Sequence, residues 1–227
     1  DYKCLECKST LYYQKNQNNG TTYLRCFNKK CNKTYSLNQI KIERIEKHLP
    51  CHDCNGFYFL KEGKYGIFAG CSNYPKCQSH IPLTEFIINI LKKDGLLIYK
   101  WSKKCWKCHQ TTSIFSYYLA YEIEKYSNER MNSEMGIGDI PILDEYLKKQ
   151  ITTIKDCYSK TKEETYIANT CEHCGALQGY NYVVDDPHEI FDDLYKTNTM
   201  EKYLFTKIPY AKLNINESEL IKQLENI

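Results

Sequence analysis

The chain has 227 residues, 42% of them hydrophobic and 26% charged, with 13 cysteines and a net charge of only +3. That length is too great for one small module, and no apolar run reaches the roughly 18 residues a membrane helix requires. The near-neutral total hides a division. Residues 1–110 carry 19 Lys and Arg against 8 Asp and Glu, a balance of +11, whereas residues 111–227 carry 12 against 20, a balance of −8. A basic half suits phosphate, and an acidic half leaves room for a protein partner or a solvated face.

The cysteines fall in pairs along the chain: Cys4 with Cys7, Cys26 with Cys31, Cys51 with Cys54, Cys71 with Cys77, Cys105 with Cys108, and Cys171 with Cys174, leaving Cys157 over. Two-residue spacings and an odd total fit three tetrahedral thiolate sites better than a disulfide framework. Four sulfurs close the coordination shell of zinc and leave no open position for catalysis, so three structural zinc ions are expected. Filling the first two sites lowers the charge of residues 1–110 to about +7, still positive. Free thiols in this number imply a reducing, cytoplasmic setting. Because the first residue is Asp rather than Met, a trimmed chain or the C-terminal part of something longer is expected.

In chain order, residues 1–47 read as a first zinc ribbon. Leu11–Tyr13 and Thr21–Arg25 are strands around a turn-rich link at 16–20. Residues 48–81 repeat the plan at an offset of 47, the distance from Cys4 to Cys51 and from Cys7 to Cys54. Here Phe57–Leu60 is one strand, Glu62–Lys64 the turn and Tyr65–Ala69 the return. Residues 82–104 form a connector, with Leu83, Phe86, Ile87, Ile90 and Leu91 at helical spacing and Gly95 as the stop. Residues 105–227 are predicted to be an α+β module holding the third site, whose two cysteine pairs are separated by 62 residues. Within it we expect a strand at 114–123, a helix at 141–157 with a stripe of Leu143, Leu147, Ile151 and Ile154, and helices at 188–206 and 216–226. Asn216 is the candidate cap of the last. The fold class is thus two tandem zinc-stabilised β ribbons followed by a mixed helix–strand module.

The stretch from Cys51 to Cys77 also resembles a known family. Its Gly63, Gly66, Phe68, Gly70, Cys71, Ser72, Tyr74, Pro75 and Cys77 follow the Gly-x-x-Gly-x-Phe and Gly-Cys-Ser-x-Tyr-Pro-x-Cys pattern of the four-cysteine zinc ribbons in the C-terminal regions of type IA DNA topoisomerases. Residues 4–31 resemble the same ribbons more loosely, lacking the Tyr-Pro element and the Gly before the third cysteine. The third cysteine set resembles an uncharacterised bacterial zinc-ribbon type, which implies no function. For the first two units the resemblance implies contacts to single-stranded DNA through aromatic rings and neighbouring cations. Arg25, Lys29, Lys30, Lys33, Lys61, Lys64 and Lys76, with Tyr58 and Tyr74, are the candidates. By strand alternation Tyr58 points opposite to Phe57 and Phe59, and one of those faces is exposed. The acidic half is expected to dock a protein.

Bland readings hold elsewhere. His52, His109 and His173 are expected to be loop residues beside complete sites, and Cys157 a buried, inert thiol. Asp53 with Glu62 and Lys64 superficially suggests a metal-dependent nuclease, but a zinc knuckle and a hairpin turn already account for them. No phosphate loop, nucleophile elbow or zinc-protease helix is present, so no catalytic residue and no enzyme activity are expected. The alternative to a DNA binder is a zinc-ribbon adaptor docking on another protein, such as the transcription machinery or a nuclease.

Overall fold

The computed structural model describes residues 2–18, 20–37, 39–40, 47–127, 131, 135–179 and 200–226. It divides into two compact units, Asp1–His80 with Lys125–Glu129, and Ile81–Glu124 with Arg130–Ile227.

The first unit contains two antiparallel sheets. Strands β1 (Leu11–Lys15), β2 (Thr22–Cys26) and β3 (Thr34–Ser36) make one, in that order. Alternation turns Leu11, Leu24 and Tyr35 inward, where they join Ile40, Cys4 and Cys26 in a small core. The second sheet runs β4 (Leu49–Pro50), β5 (Phe57–Gly63), β6 (Gly66–Cys71) and β7 (His80–Pro82). Its hairpin closes later than the sequence suggests: β5 continues through Gly63, which pairs with Gly66 and leaves Lys64 and Tyr65 as the turn. Gly66 stands at φ +110, which a residue with a Cβ rarely adopts, and this fixes the register. Gly63 and Gly70 act differently, because a Cβ on Gly63 would meet the Phe68 ring at 2.9 Å and one on Gly70 the Lys61 stem at 3.3 Å. Bare backbone there lets both side chains lie across the sheet.

The second unit opens with α1 (Leu83–Asp94), which buries Phe86, Ile87, Ile88, Ile90 and Leu91 and stops at Gly95. Then follow β8 (Leu96–Lys104) and β9 (Thr111–Ser116). The expected strand at 114–123 ends at Ser116, and Leu119–Glu124 is instead a helix, α2. Five of its six residues are buried, so no polar face broke the apolar run into helical periodicity. Helix α3 (Pro141–Gln150) buries Leu143 and Leu147 as expected but stops short of 157. Ile151 is extended, and Ile154–Ser159 becomes β10, carrying Cys157. The β-branched run from Ile151 to Ile154 favours that outcome, and pairing with β11 (Glu164–Thr170) secures it. After β12 (Leu177–Gln178) the expected helix at 188–206 lies outside the described residues up to 199. Its remainder is a 3-10 turn at Met200–Tyr203 leading into β13 (Leu204–Ile208). Two short helices close the chain, α4 (Tyr210–Leu213) and α5 (Glu217–Leu224). As predicted, Asn216 caps α5, its side chain accepting from the N–H groups of Ser218 and Glu219. No helix among the described residues is long and apolar enough to cross a membrane.

Two sheets organise this unit, β13-β8-β9 and β10-β11-β12. Asn169 joins them: its side chain accepts from Phe115 N–H at 2.9 Å and donates to Phe115 C=O at 2.8 Å, completing a strand-like pair from within the core. Buried tyrosines anchor two acids, Tyr99 donating to Glu122 and Tyr117 to Asp144. Burial pushes the Asp144 carboxyl up to about 7, against the hydrogen bonds it accepts from Tyr117 and Gly138. An unfolded Asp ionises near pH 3.9, so this contribution to stability is complete below about pH 4 and is lost as pH rises through 7. Urea unfolding followed by Trp101 emission should therefore show this unit losing roughly 1 kcal/mol between pH 6 and 8. Asp144→Asn should flatten the slope, and an unchanged slope would remove Asp144 as its source.

Candidate metal centres and nucleic-acid face

All thirteen cysteines are free thiols, and twelve gather into three groups of four. Cys4, Cys7, Cys26 and Cys31 form the first, Cys51, Cys54, Cys71 and Cys77 the second, and Cys105, Cys108, Cys171 and Cys174 the third, with all sulfurs of a group within 4.8 Å of one another. Neighbouring sulfurs stand 3.7 Å (Cys4–Cys31), 3.8 Å (Cys51–Cys77), 3.7 Å (Cys105–Cys174) and 3.7 Å (Cys108–Cys171) apart. Cys7–Cys26 and Cys54–Cys71 are tighter, at 3.4 Å. A disulfide would bring sulfurs to about 2 Å. Four thiolates at about 2.3 Å from zinc lie roughly 3.8 Å from one another, so each group is consistent with a bound zinc ion.

The backbone around the sulfurs supports the same chemistry. Asp53 and Gly56 direct N–H groups at the Cys51 and Cys54 sulfurs, Asn73 at Cys71 and Lys107 at Cys105, over 3.3–3.5 Å. In the second group, burial raises the Cys51 thiol but the Asp53 N–H and other donors outweigh it, bringing it down to about 6. Burial pushes Cys71 up to about 12, with its neighbouring thiols adding to the effect. Four thiols so close cannot all ionise unless a cation compensates them.

A local backbone rule distinguishes the knuckles. Lys8, Asn32, His109 and Gly175 each follow the second cysteine of a pair, and all four stand in the left-handed region at φ 49–67. In the three two-residue knuckles the turn lets the first cysteine's carbonyl accept from that residue, as in Lys8 N–H to Cys4 O at 3.0 Å, His109 N–H to Cys105 O at 3.0 Å and Gly175 N–H to Cys171 O at 2.9 Å, whereas Asn32 donates to Asn28 O at 3.1 Å. Neither pair of the second ribbon has this residue among the positive-φ positions. Only Gly175 advertised the turn in the sequence. His109 is thus a turn residue, and His52 and His173 are exposed beside complete groups, as expected. Cys157 belongs to none of the groups, and it is half-buried rather than buried, with burial raising its thiol.

The second ribbon has two unlike faces. Tyr58, Leu60, Ala69 and Cys71 point inward, and Phe57, Phe59 and Lys61 point out, half-exposed. Tyr58 is therefore corrected as a candidate contact: it is 1% exposed, and its hydroxyl is engaged with Ser79 Oγ at 2.7 Å. The register could have said so, since Tyr58 pairs with Cys71, which must face the other sulfurs of its group. The outward face is cationic and aromatic together. Lys61 Nζ lies 4.7 Å from the Phe59 centroid and 5.1 Å from that of Tyr74, which is 65% exposed. Lys64 sits over Tyr65, and Lys76 is exposed nearby in sequence to Tyr74. Phe59 and Tyr65 each have a lysine over the ring.

In the first ribbon Lys29 and Lys30 are exposed, whereas Arg25 donates to Asn32 Oδ1 at 2.6 Å and Lys33 pairs with Glu6 at 3.2 Å. Phe27, largely exposed, meets Tyr12 edge-on.

Residues 50–85 match the family model of the topoisomerase DNA-binding C4 zinc finger. A DNA topoisomerase 1 from Methanocaldococcus jannaschii is 38% identical over 60 residues, a match covering 26% of this chain and 7% of that relative. The chain thus spans a small fraction of the relative's length. The second ribbon is a zinc ribbon of the topoisomerase DNA-binding type, and the other two four-cysteine groups lie outside the matched family segment.

Proposed function

We propose that the protein binds single-stranded DNA through its first two ribbons, holds three structural zinc ions, and acts without catalysis of its own as an accessory or targeting region of a DNA-processing system. The outward face of the second ribbon carries this reading. Phe57, Phe59 and Tyr74 offer rings on the side away from the metal, and Lys61 lies over two of the three. Base stacking on such rings contributes roughly 1–3 kcal/mol per base and tolerates any sequence, while the lysines neutralise phosphates. Zinc would hold β5 and β6 in the register that sorts these side chains to the outer face. Thirteen free thiols suit a reducing compartment such as the cytoplasm.

Lys61→Ala with Lys64→Ala is the direct test. In fluorescence-anisotropy titrations of the zinc-loaded full chain, affinity for single strands should fall alike for all sequences, and the slope of log K against log salt should flatten by about 1.4. Unchanged affinity and slope would sink the assignment. No binding of the unaltered protein at low salt would favour the protein-adaptor alternative.

A further inference from the structure

We infer that the second unit carries its own binding face for single-stranded nucleic acid, on the outer side of the β13-β8-β9 sheet and running toward the third metal centre. This face is independent of the first two ribbons. Strand β8 alternates sharply there: Tyr99 and Trp101 are buried, while Lys100, Ser102 and Lys104 are exposed. Lys100 pairs in register with Phe115, so both side chains share the outer face. Phe205 from β13 meets Phe115 edge-on at 5.4 Å, and Lys100 Nζ stands 5.3 and 5.6 Å from the two ring centroids. Phe205 nevertheless remains 53% exposed, an unusual state for a phenylalanine beside a packed sheet.

At the other end of β8, beyond Lys104, the knuckle presents Trp106, 52% exposed. Its indole N–H donates to Leu177 O at 2.6 Å, which fixes the ring while leaving half of its surface to solvent. From Lys100 to Lys104 the strand rises about 13 Å, so this face carries two spaced lysines, with the exposed Phe205 ring beside the first and Trp106 two residues after the second. Residues 100–110 hold four lysines and no carboxylate. Charge and rings together are what a single strand's phosphates and bases recognise without regard to sequence. The acidic balance of residues 111–227 pointed to protein docking, but this face draws its charge from the basic side of that division.

The two tryptophans supply a specific readout, because Trp101 is buried and Trp106 exposed. The zinc-loaded full chain is titrated with a 5′-labelled 20-nucleotide oligothymidylate at low salt, with oligouridylate in parallel, following label anisotropy and tryptophan emission together. Stacking on Trp106 should quench the emission, Trp106→Phe should abolish the quench, and Lys100→Ala with Lys104→Ala should shift its midpoint about 10-fold. A quench that survives Lys61→Ala with Lys64→Ala shows that the face works alone. A rise in anisotropy with unchanged emission overturns this face and leaves the ribbon reading standing, and a titration that moves neither signal overturns both. Quenching by oligouridylate alone assigns the face to RNA.

Discussion

Stripping the metal from the full chain with a strong chelator at neutral pH is expected to unfold both ribbons of the first unit while the second unit keeps its core. Among the described residues the first ribbon's buried cluster is six side chains, and two of them, Cys4 and Cys26, belong to its four-cysteine group. Segments of this size seldom fold on apolar burial alone. Structural zinc contributes roughly 10–16 kcal/mol of apparent binding free energy in comparable peptides, more than the whole stability of most domains. The second unit differs, because α1, α2 and the aromatic cluster around Tyr99, Trp101 and Tyr118 bury apolar surface in a core that includes no cysteine. Chelation should release three zinc ions per chain and expose residues 1–80 to limited proteolysis, with Trp101 emission staying native. Ribbons that remain protease-resistant after metal release would show that their hairpins stand unaided.

Gly95→Ala should be among the most damaging single substitutions in the second unit. Gly95 ends α1 at φ 74 and ψ −179, a conformation that is essentially restricted to glycine. Its N–H also completes the helix by donating to Leu91 O at 2.8 Å. A Cβ there would stand 2.5 Å from the backbone oxygen of Ile208, whose residue pairs with Leu96 in the β13–β8 ladder. Neither the helix end nor the strand can move without breaking that ladder, so a loss of about 3 kcal/mol or more is expected. Gly66→Ala is the instructive contrast. Its φ is +110 but nothing lies within 4 Å, so only conformational strain of about 1 kcal/mol is expected. Urea unfolding followed by Trp101 emission measures the first; a loss below about 1 kcal/mol would mean that the α1–β8 junction yields.

The ligand groups were legible because thiolate coordination leaves a spacing signature that survives any surrounding fold. Ribbon strands and the α5 cap were legible for similar reasons, being set by residues within a few positions of one another. What escaped was set at longer range. Residues 119–124 carried no helical stripe because burial surrounds them, and Ile154–Ser159 became a strand because β11, some ten residues on, supplies a ladder. At the candidate face, Lys61 and Tyr74, both named from the sequence as candidates, stand together, but Tyr58 needed the register against Cys71 to be placed. Parity alone separated its two faces without saying which one was wet. Positive φ at Lys8, Asn32 and His109 escaped for another reason, since none of these is the glycine that usually marks it.

The third metal centre has a consequence for biosynthesis. In the first two ribbons the outer and inner halves of a site, such as Cys54 and Cys71, emerge from the ribosome within a couple of seconds of each other. Cys108 and Cys171 are separated by 62 residues, which at roughly 5–20 residues per second is an interval of about 3–12 s. Throughout it, Cys105 and Cys108 exist as a two-thiolate half-site on a nascent chain. The first two ribbons can be complete and metallated before that wait begins, whereas the third closes only after the whole insert, including Asn169 and its bond to Phe115, has been made. Metal supply during translation therefore acts on the two ends of this protein at different times.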